Sequence, residues 1–318
     1  MKWLSIVALV AAILAPAAQA QDYPTRPVQL IVPFPPGAGS DTVARLVAQK
    51  MADGLKQPVV VENRSGAGGL LANRHVASAT PDGYTLLLVT GAYPAQAAML
   101  KQLPFDPLKD ISMVSSLIEY PFVLIVRPDA PFRTVGDLIA YAKDNPKKLN
   151  YATTGPGSVH HLASELFNMM AGVETVSIVY RGGATQILEL LAGRVDFVFE
   201  TLPSAAAAIT DGRVRALAVT TKQRWATLPA IPSITDTLPG YEVLSFLGLA
   251  VPSGTPAPVI TKLNAEIRRT LDLSDIRDRF RTLGGEQHPR SPEDSQSFVA
   301  GEIRKWQNVV SARGIERQ

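Results

Sequence analysis

The sequence predicts an α/β protein whose two lobes share one chain, and three observations lead there. Short β-rich runs alternate with helix-periodic runs along the 318 residues, the pattern of layered α/β folds. Glycine-rich segments stand repeatedly where a strand hands over to a helix. The scheme then occurs a second time, with no short repeat and no low-complexity linker between the halves. A chain of about 300 residues is long enough for two cores of ordinary size.

The N-terminus reads as an export leader. Lys2 precedes an uncharged apolar run from Leu4 to Leu14, and Ala18-Gln-Ala20 supplies the small-x-small pattern read by signal peptidase. That run is shorter than the roughly 20 residues a spanning helix needs. Residues 1–20 are therefore expected to be a signal peptide, cleaved before Gln21, and the mature chain to be periplasmic.

In the first half, Val28–Val32 reads as a buried strand, and Val43, Leu46, Val47 and Met51 recur at helical spacing. Val59–Val61 is a second strand. Tyr84–Thr90 is a third, launched from the Pro81-Asp-Gly83 turn. Phe122–Val126 is another, stopped by Pro128 and Pro131. In the second half, residues 149–153, Val176–Tyr180, Val195–Phe199 and Val214–Thr220 read as strands. Helical stripes fall at Leu162, Leu166, Phe167 and Met170, and at Ala184, Ile187, Leu188 and Leu191. Val243–Val251 is a long strand. The C-terminal portion is mostly helical, with Pro256 and Pro258 suited to a first turn. A crossing near 122–128 and a return near 244–252 would make a two-stranded hinge. The lobes are then residues 21–124 with 248–318, and residues 125–247.

Composition excludes several classes. There are no cysteines, so the cores must hold by packing alone, and lipid attachment through an N-terminal cysteine is ruled out. The 31 Lys and Arg against 28 Asp and Glu give a net charge of +3. No basic run would track nucleic acid or a membrane surface.

Four strand-to-helix junctions carry the chemistry. The first holds Phe34, Gly37, Ala38, Gly39 and Ser40. Its glycines let the backbone turn and present amides, which with a helix N-terminus favour a negative ligand. It is not a dinucleotide fingerprint, because Thr42 stands where the third glycine belongs. The plainer reading is an ordinary turn with Ser40 as helix cap. The second junction holds Gly66, Ala67, Gly68 and Gly69. The third carries Thr154, Gly155 and Ser158, and the fourth Tyr180, Arg181 and Gly182. Arg181 could clamp a carboxylate bidentately or be a solvated structural side chain. Glu200, after the strand at 195–199, either receives a ligand amine or pairs with an arginine. Asp41 would repel an anion in the same pocket, so it is expected to support the loop.

Catalytic patterns are missing. The four histidines are His75, His160, His161 and His288. Adjacent His160 and His161 would point about 100° apart on a helix, poor geometry for one metal. No H-E-x-x-H, G-x-S-x-G or P-loop pattern occurs. His161 is expected to be a hydrogen-bonded support, with no cofactor and no metal implied.

Taken in order, Ile31-Val-Pro-Phe-Pro-Pro-Gly, Val60-Val-Glu-Asn-Arg, Gly66-Ala-Gly-Gly, Pro81-Asp-Gly-Tyr-Thr-Leu, Leu103-Pro-Phe-Asp, His161-Leu-Ala-Ser-Glu-Leu-Phe, Leu191-Ala-Gly-Arg-Val-Asp, Arg215-Ala-Leu-Ala-Val-Thr and Lys262-Leu-Asn-Ala-Glu resemble one family. It is the Bug family, the TctC-like extracytoplasmic solute receptors of tripartite tricarboxylate transporters. The resemblance covers nearly the whole mature chain.

It implies a type II periplasmic binding fold, two α/β lobes closing on a ligand. A carboxylate would be held by backbone amides, hydroxyls and waters from the loops named above, with Thr90, Gly91 and Tyr93 added. Ala38, Ser65 and Glu200 depart from residues common in the family, which bears on ligand identity. The implied function is capture of a small carboxylate, dicarboxylate or amino acid by a monomer and delivery to membrane permease subunits, with no nucleic acid involved. The alternative is a sensor presenting its closed form to a signalling partner.

Overall fold

The computed structural model describes residues 23–180 and 183–318. The expected leader and its cleavage site, with Arg181 and Gly182, lie outside the described residues. The first half builds β1 (Val28–Val32), α1 (Gly39–Leu55), β2 (Val59–Asn63), a 3-10 turn (Ala67–Gly69), α2 (Leu70–Ala77), β3 (Thr85–Thr90) and α3 (Ala92–Met99). Strand β4 (Ile111–Val126) comes next. The second half builds α4 (Val135–Asp144), β5 (Asn150–Thr153), α5 (Val159–Ala171), β6 (Val176–Val179), α6 (Gly183–Leu191), β7 (Phe197–Thr201), α7 (Leu202–Thr210) and β8 (Arg215–Val219). The chain returns through β9 (Leu244–Pro252) and ends in α8 (Ala257–Leu271), α9 (Ser274–Thr282), β10 (Glu286–Gln287) and α10 (Pro292–Ala312).

The strands run in the order β2-β1-β3-β9-β4-β7-β5-β6. Within it, β2, β1 and β3 are parallel, and so are β6, β5 and β7. Each half thus repeats one scheme: its first strand lies between the second and third. The two schemes are joined by β4, whose residues 111–121 pair antiparallel with β9 and whose residues 122–126 pair with β7 and β8.

Packing follows from this order. Val43, Val47 and Met51 of α1, with Leu263 and Ile267 of α8, cover one face of the first sheet. Val76, Tyr93, Val299 and Ile303 cover the other. On the second sheet, Phe167, Phe197, Phe199 and Tyr241 form an aromatic core, and Ile187, Leu190 and Ala205 close the opposite face. Helix α10 serves both halves: Val299 and Ile303 pack on the first sheet, while Trp306, Val309 and Val310 enter the core of the second.

The elements differ from expectation in three places. Strand β4 has 16 residues and begins at Ile111, well before Phe122. Ser115, Ser116 and Glu119 interrupt its apolar run, yet all three are buried. Arg290 makes that possible, donating to Ser116 Oγ and to the Glu119 carboxylate. Strand β7 runs two residues later than expected, so Glu200 and Thr201 lie inside it. Helices α2, α3, α4, α7 and α9 are additional, and α4 carries a full capping box between Thr134 and Asp137.

Candidate functional site

In an open α/β sheet, ligands bind outside the carboxyl ends of the strands, where neighbouring strands connect in opposite directions. Here that point falls between β1 and β3 in the first half and between β5 and β7 in the second. The first crevice is framed by residues 33–40 and 90–92, the second by residues 154–158 and by Glu200 and Thr201. The segments beside the two crevices touch. A Cβ on Gly91 would sit 3.7 Å from Val159 Cγ2, and Met99 fills the space over Gly157.

The first junction is held by Asp41. Its carboxylate is buried and accepts from the Gly37 amide (2.9 Å), Asn63 Nδ2 (2.8 Å) and Arg45 Nε (3.0 Å). Asn63 Nδ2 also donates to the Phe34 carbonyl. Burial works against the charge, but the hydrogen bonds from Arg45, Gly37 and Asn63 outweigh it and hold the carboxyl below its ordinary range. Asp41 thus supports the loop, as its charge at a helix start predicts. Ala38, not Ser40, is the residue before α1, and no side chain caps that helix. The Gly39 and Ser40 amides are therefore left to present their hydrogens outward. Open space lies beside Gly37 and Gly39.

The second junction backs the first. Gln96 Nε2 donates to the Ala67 carbonyl at 2.9 Å. A Cβ on Gly69 would come within 3.1 Å of Pro33 Cβ, and one on Gly68 within 2.8 Å of Gln96 Nε2. Glycine is favoured here by the left-handed φ of +66° at Gly68 and +109° at Gly69, and residues 66–69 pack against both the 33–40 loop and α3. At the end of β3, Thr90 is buried and its hydroxyl accepts from the Ala92 amide at 3.2 Å. Tyr93 points away: its hydroxyl donates to the Pro107 carbonyl at 2.7 Å and its ring stacks on Phe105. Its side chain belongs to the core of the first half, not to the crevice.

The third junction spends most of its amides on itself. The Gly155 amide donates to Thr153 Oγ1, Gly157 to His161 Nδ1 (3.2 Å) and Ser158 to the Gly155 carbonyl. Ser158 Oγ caps α5 through the His161 amide and also bonds Thr153 Oγ1. A tight turn must satisfy its own donors before it can serve a ligand. There remain the Thr154 hydroxyl, open space beside Gly155, and the Val159 and His160 amides in the first turn of α5. His161 is a support: burial lowers its pKa, with Glu165 only partly opposing, and its ring stacks on Tyr151.

Tyr180 turns its hydroxyl to Glu189, which also pairs with Arg194. Glu200 is 1 % exposed. Its Oε1 accepts from the Thr201 amide at 2.8 Å and lies 3.4 Å from His160 Nε2. Sequence reasoning places neither His160 nor Thr201 beside Glu200, although both follow once Glu200 lies inside β7. Among the described residues no three His, Cys, Asp or Glu side chains converge to hold a metal ion. No described helix is long and apolar enough to cross a membrane. A surface cavity of about 530 Å³, lined by Leu103, Phe105, Leu108, Ile303 and Arg304 among others, lies on the flank of the first half and uses none of these loops.

This fold and site define a solute-binding receptor. The model of the tripartite tricarboxylate transporter family receptor matches residues 43–315, and the chain belongs to that family of binding proteins, which are receptors and not enzymes. Protein BugT of Bordetella pertussis (strain Tohama I) is 34% identical over 316 residues, covering 98% of this chain and 97% of BugT. Among solved structures, R. palustris Rpa4515 with adipate is 36% identical with a TM-score of 0.80, over 92% of this chain and 99% of that one. MatC from Rhodopseudomonas palustris with bound malate is 35% identical with a TM-score of 0.77, over 91% of this chain and all 100% of that one. The α/β architecture is accordingly that of the periplasmic binding proteins.

Proposed function

We propose that this receptor captures a small organic acid between residues 21–124 with 248–318 and residues 125–247, closes on it, and delivers it as a monomer to a tripartite permease. The observation that carries this reading is the uncapped start of α1, with space beside Gly37 and Gly39, in the half whose Gly91 meets Val159 of the other. Amides aimed at such a space stabilise a carboxylate without a cationic side chain. The Gly39 and Ser40 amides, the Ser40 and Thr154 hydroxyls, and the Val159 and His160 amides are the groups available to it. Adipate and malate in the two similar structures support a carboxylate as ligand. The export leader expected at residues 1–20 fits a periplasmic site of action.

Thermal melting against a panel of aliphatic diacids, hydroxy acids, amino acids and aromatic acids tests capture. A true ligand at 100 times its Kd stabilises the native state by about 2.7 kcal/mol. A panel that leaves the melting temperature unmoved would sink the reading. Deleting the chain tests delivery: uptake of the identified acid should fall. Normal uptake with a lost transcriptional response would assign it to sensing.

A further inference from the structure

Glu200 holds an unspent acceptor at the end of β7, beside His160 in the first turn of α5. Its Oε1 is engaged by Thr201 and lies beside His160, but its Oε2 is buried with no partner. Only three other buried side-chain atoms share that condition among the described residues: both amide atoms of Gln186, and Ser295 Oγ. Glu200 is the one acid among them. A buried carboxylate oxygen without a donor is costly, and one fixed by its neighbours cannot turn away to find water. None of the described groups around it donates to Oε2, although the Tyr120 hydroxyl is near enough to feel the Glu200 charge. Tyr120 accepts from Ser245, His160 approaches only Oε1, and no described lysine or arginine pairs with Glu200.

We propose that Glu200 sets the ligand class, by taking on Oε2 a hydrogen-bond donor carried by the bound acid: a hydroxyl or an ammonium. The inference rests on the receptor reading above and narrows it. A second carboxylate placed against Oε2 would meet a like charge in a water-poor site, which is strongly unfavourable. An acid with one carboxylate on the α1 amides and a donor facing Glu200 satisfies both ends. The receptor therefore prefers hydroxy- or amino-substituted acids to their unsubstituted parents.

The test is isothermal titration of the full mature chain with three matched series: succinate, malate and aspartate; glutarate, 2-hydroxyglutarate and glutamate; phenylpropanoate, phenyllactate and phenylalanine. In at least one series a substituted acid should bind about tenfold more tightly than its parent, equivalent to ~1.4 kcal/mol. In Glu200→Gln the Thr201 amide still demands an acceptor, so the new side chain keeps its oxygen there and puts an NH2 where Oε2 was. That replaces an acceptor by a donor. The preference should shrink to within about threefold, and the parent acid should bind more tightly than to wild type. Glu200→Asp, which withdraws the carboxylate by one methylene, should also weaken the preference and serves if the glutamine variant melts early. Binding without preference, or a preference unchanged in both variants, overturns the assignment while leaving the receptor reading intact. Failure of every acid to bind overturns both.

Discussion

His161 shows how a buried residue governs the shape of a loop proposed to meet the ligand. Its Nδ1 accepts the Gly157 amide, so the ring must be neutral for the third junction to keep its shape. Burial holds its pKa below the ordinary 6.5. The unfolded chain therefore takes up a proton at a pH where the folded chain resists it, and stability is retained above about pH 6.5 and lost as pH falls below it. The melting temperature should decline on acidification through that range, and ligand affinity should decline with it. In His161→Ala the decline should be flatter, with about 1–3 kcal/mol lost at neutral pH because the Gly157 amide loses its partner. A melting series from pH 5 to 8 on both proteins decides it; parallel slopes would remove His161 from the account. Asp41 works in the same indirect way, and its role is legible in sequence from charge alone. That Tyr93 turns inward is not, because a tyrosine after a strand end can face either way until Pro107 and Phe105 are in place.

At the scale of elements, β4 and β9 carry the connection between halves, and their pairing leaves no slack. Gly248 of β9 lies against the β4 backbone: a Cβ there would come within 2.9 Å of the Ser115 carbonyl oxygen and 3.0 Å of Met113 Cε. Backbone cannot retreat as a flexible side chain can, so Gly248→Val should cost about 1–3 kcal/mol, read as a lower urea midpoint. A midpoint within error of wild type would show that the register between Met113 and Ser115, already bulged, has room to give. The first half of β4 escapes sequence reading for a related reason. Ser115, Ser116 and Glu119 look like solvent-facing residues until Arg290, some 170 positions along, is folded against them. The capping box at Thr134 and Asp137 is the opposite case, a local signal sufficient to place α4.

On the scale of the molecule, the proposed closure should be visible from tryptophan. Trp306 is 1 % exposed on α10, which packs on both sheets, and it is shielded from water within the second core. Trp225 reaches from the loop after β8 to donate to the Gly284 carbonyl at 3.0 Å, across the turn between α9 and β10. A change in the angle between halves alters that contact first. An acid found by melting should therefore change intrinsic fluorescence in wild type and change it less in Trp225→Phe, while still raising the melting temperature of both. A full signal in the variant would place the movement elsewhere.

The sequence by itself determined the class. Hydrophobic periodicity placed most of the strands and the long helices, and the glycine-rich junctions marked where a ligand could approach backbone, because both are local properties of the chain. Tertiary structure decided which groups at those junctions remain free. The Gly155, Gly157 and Ser158 amides are consumed by Thr153, His161 and Gly155, while the amides at the start of α1 are not capped. It also decided that Glu200 keeps one oxygen unpaired. Hydrogen-bond satisfaction depends on which distant residues arrive beside a group, and no reading along the chain supplies that.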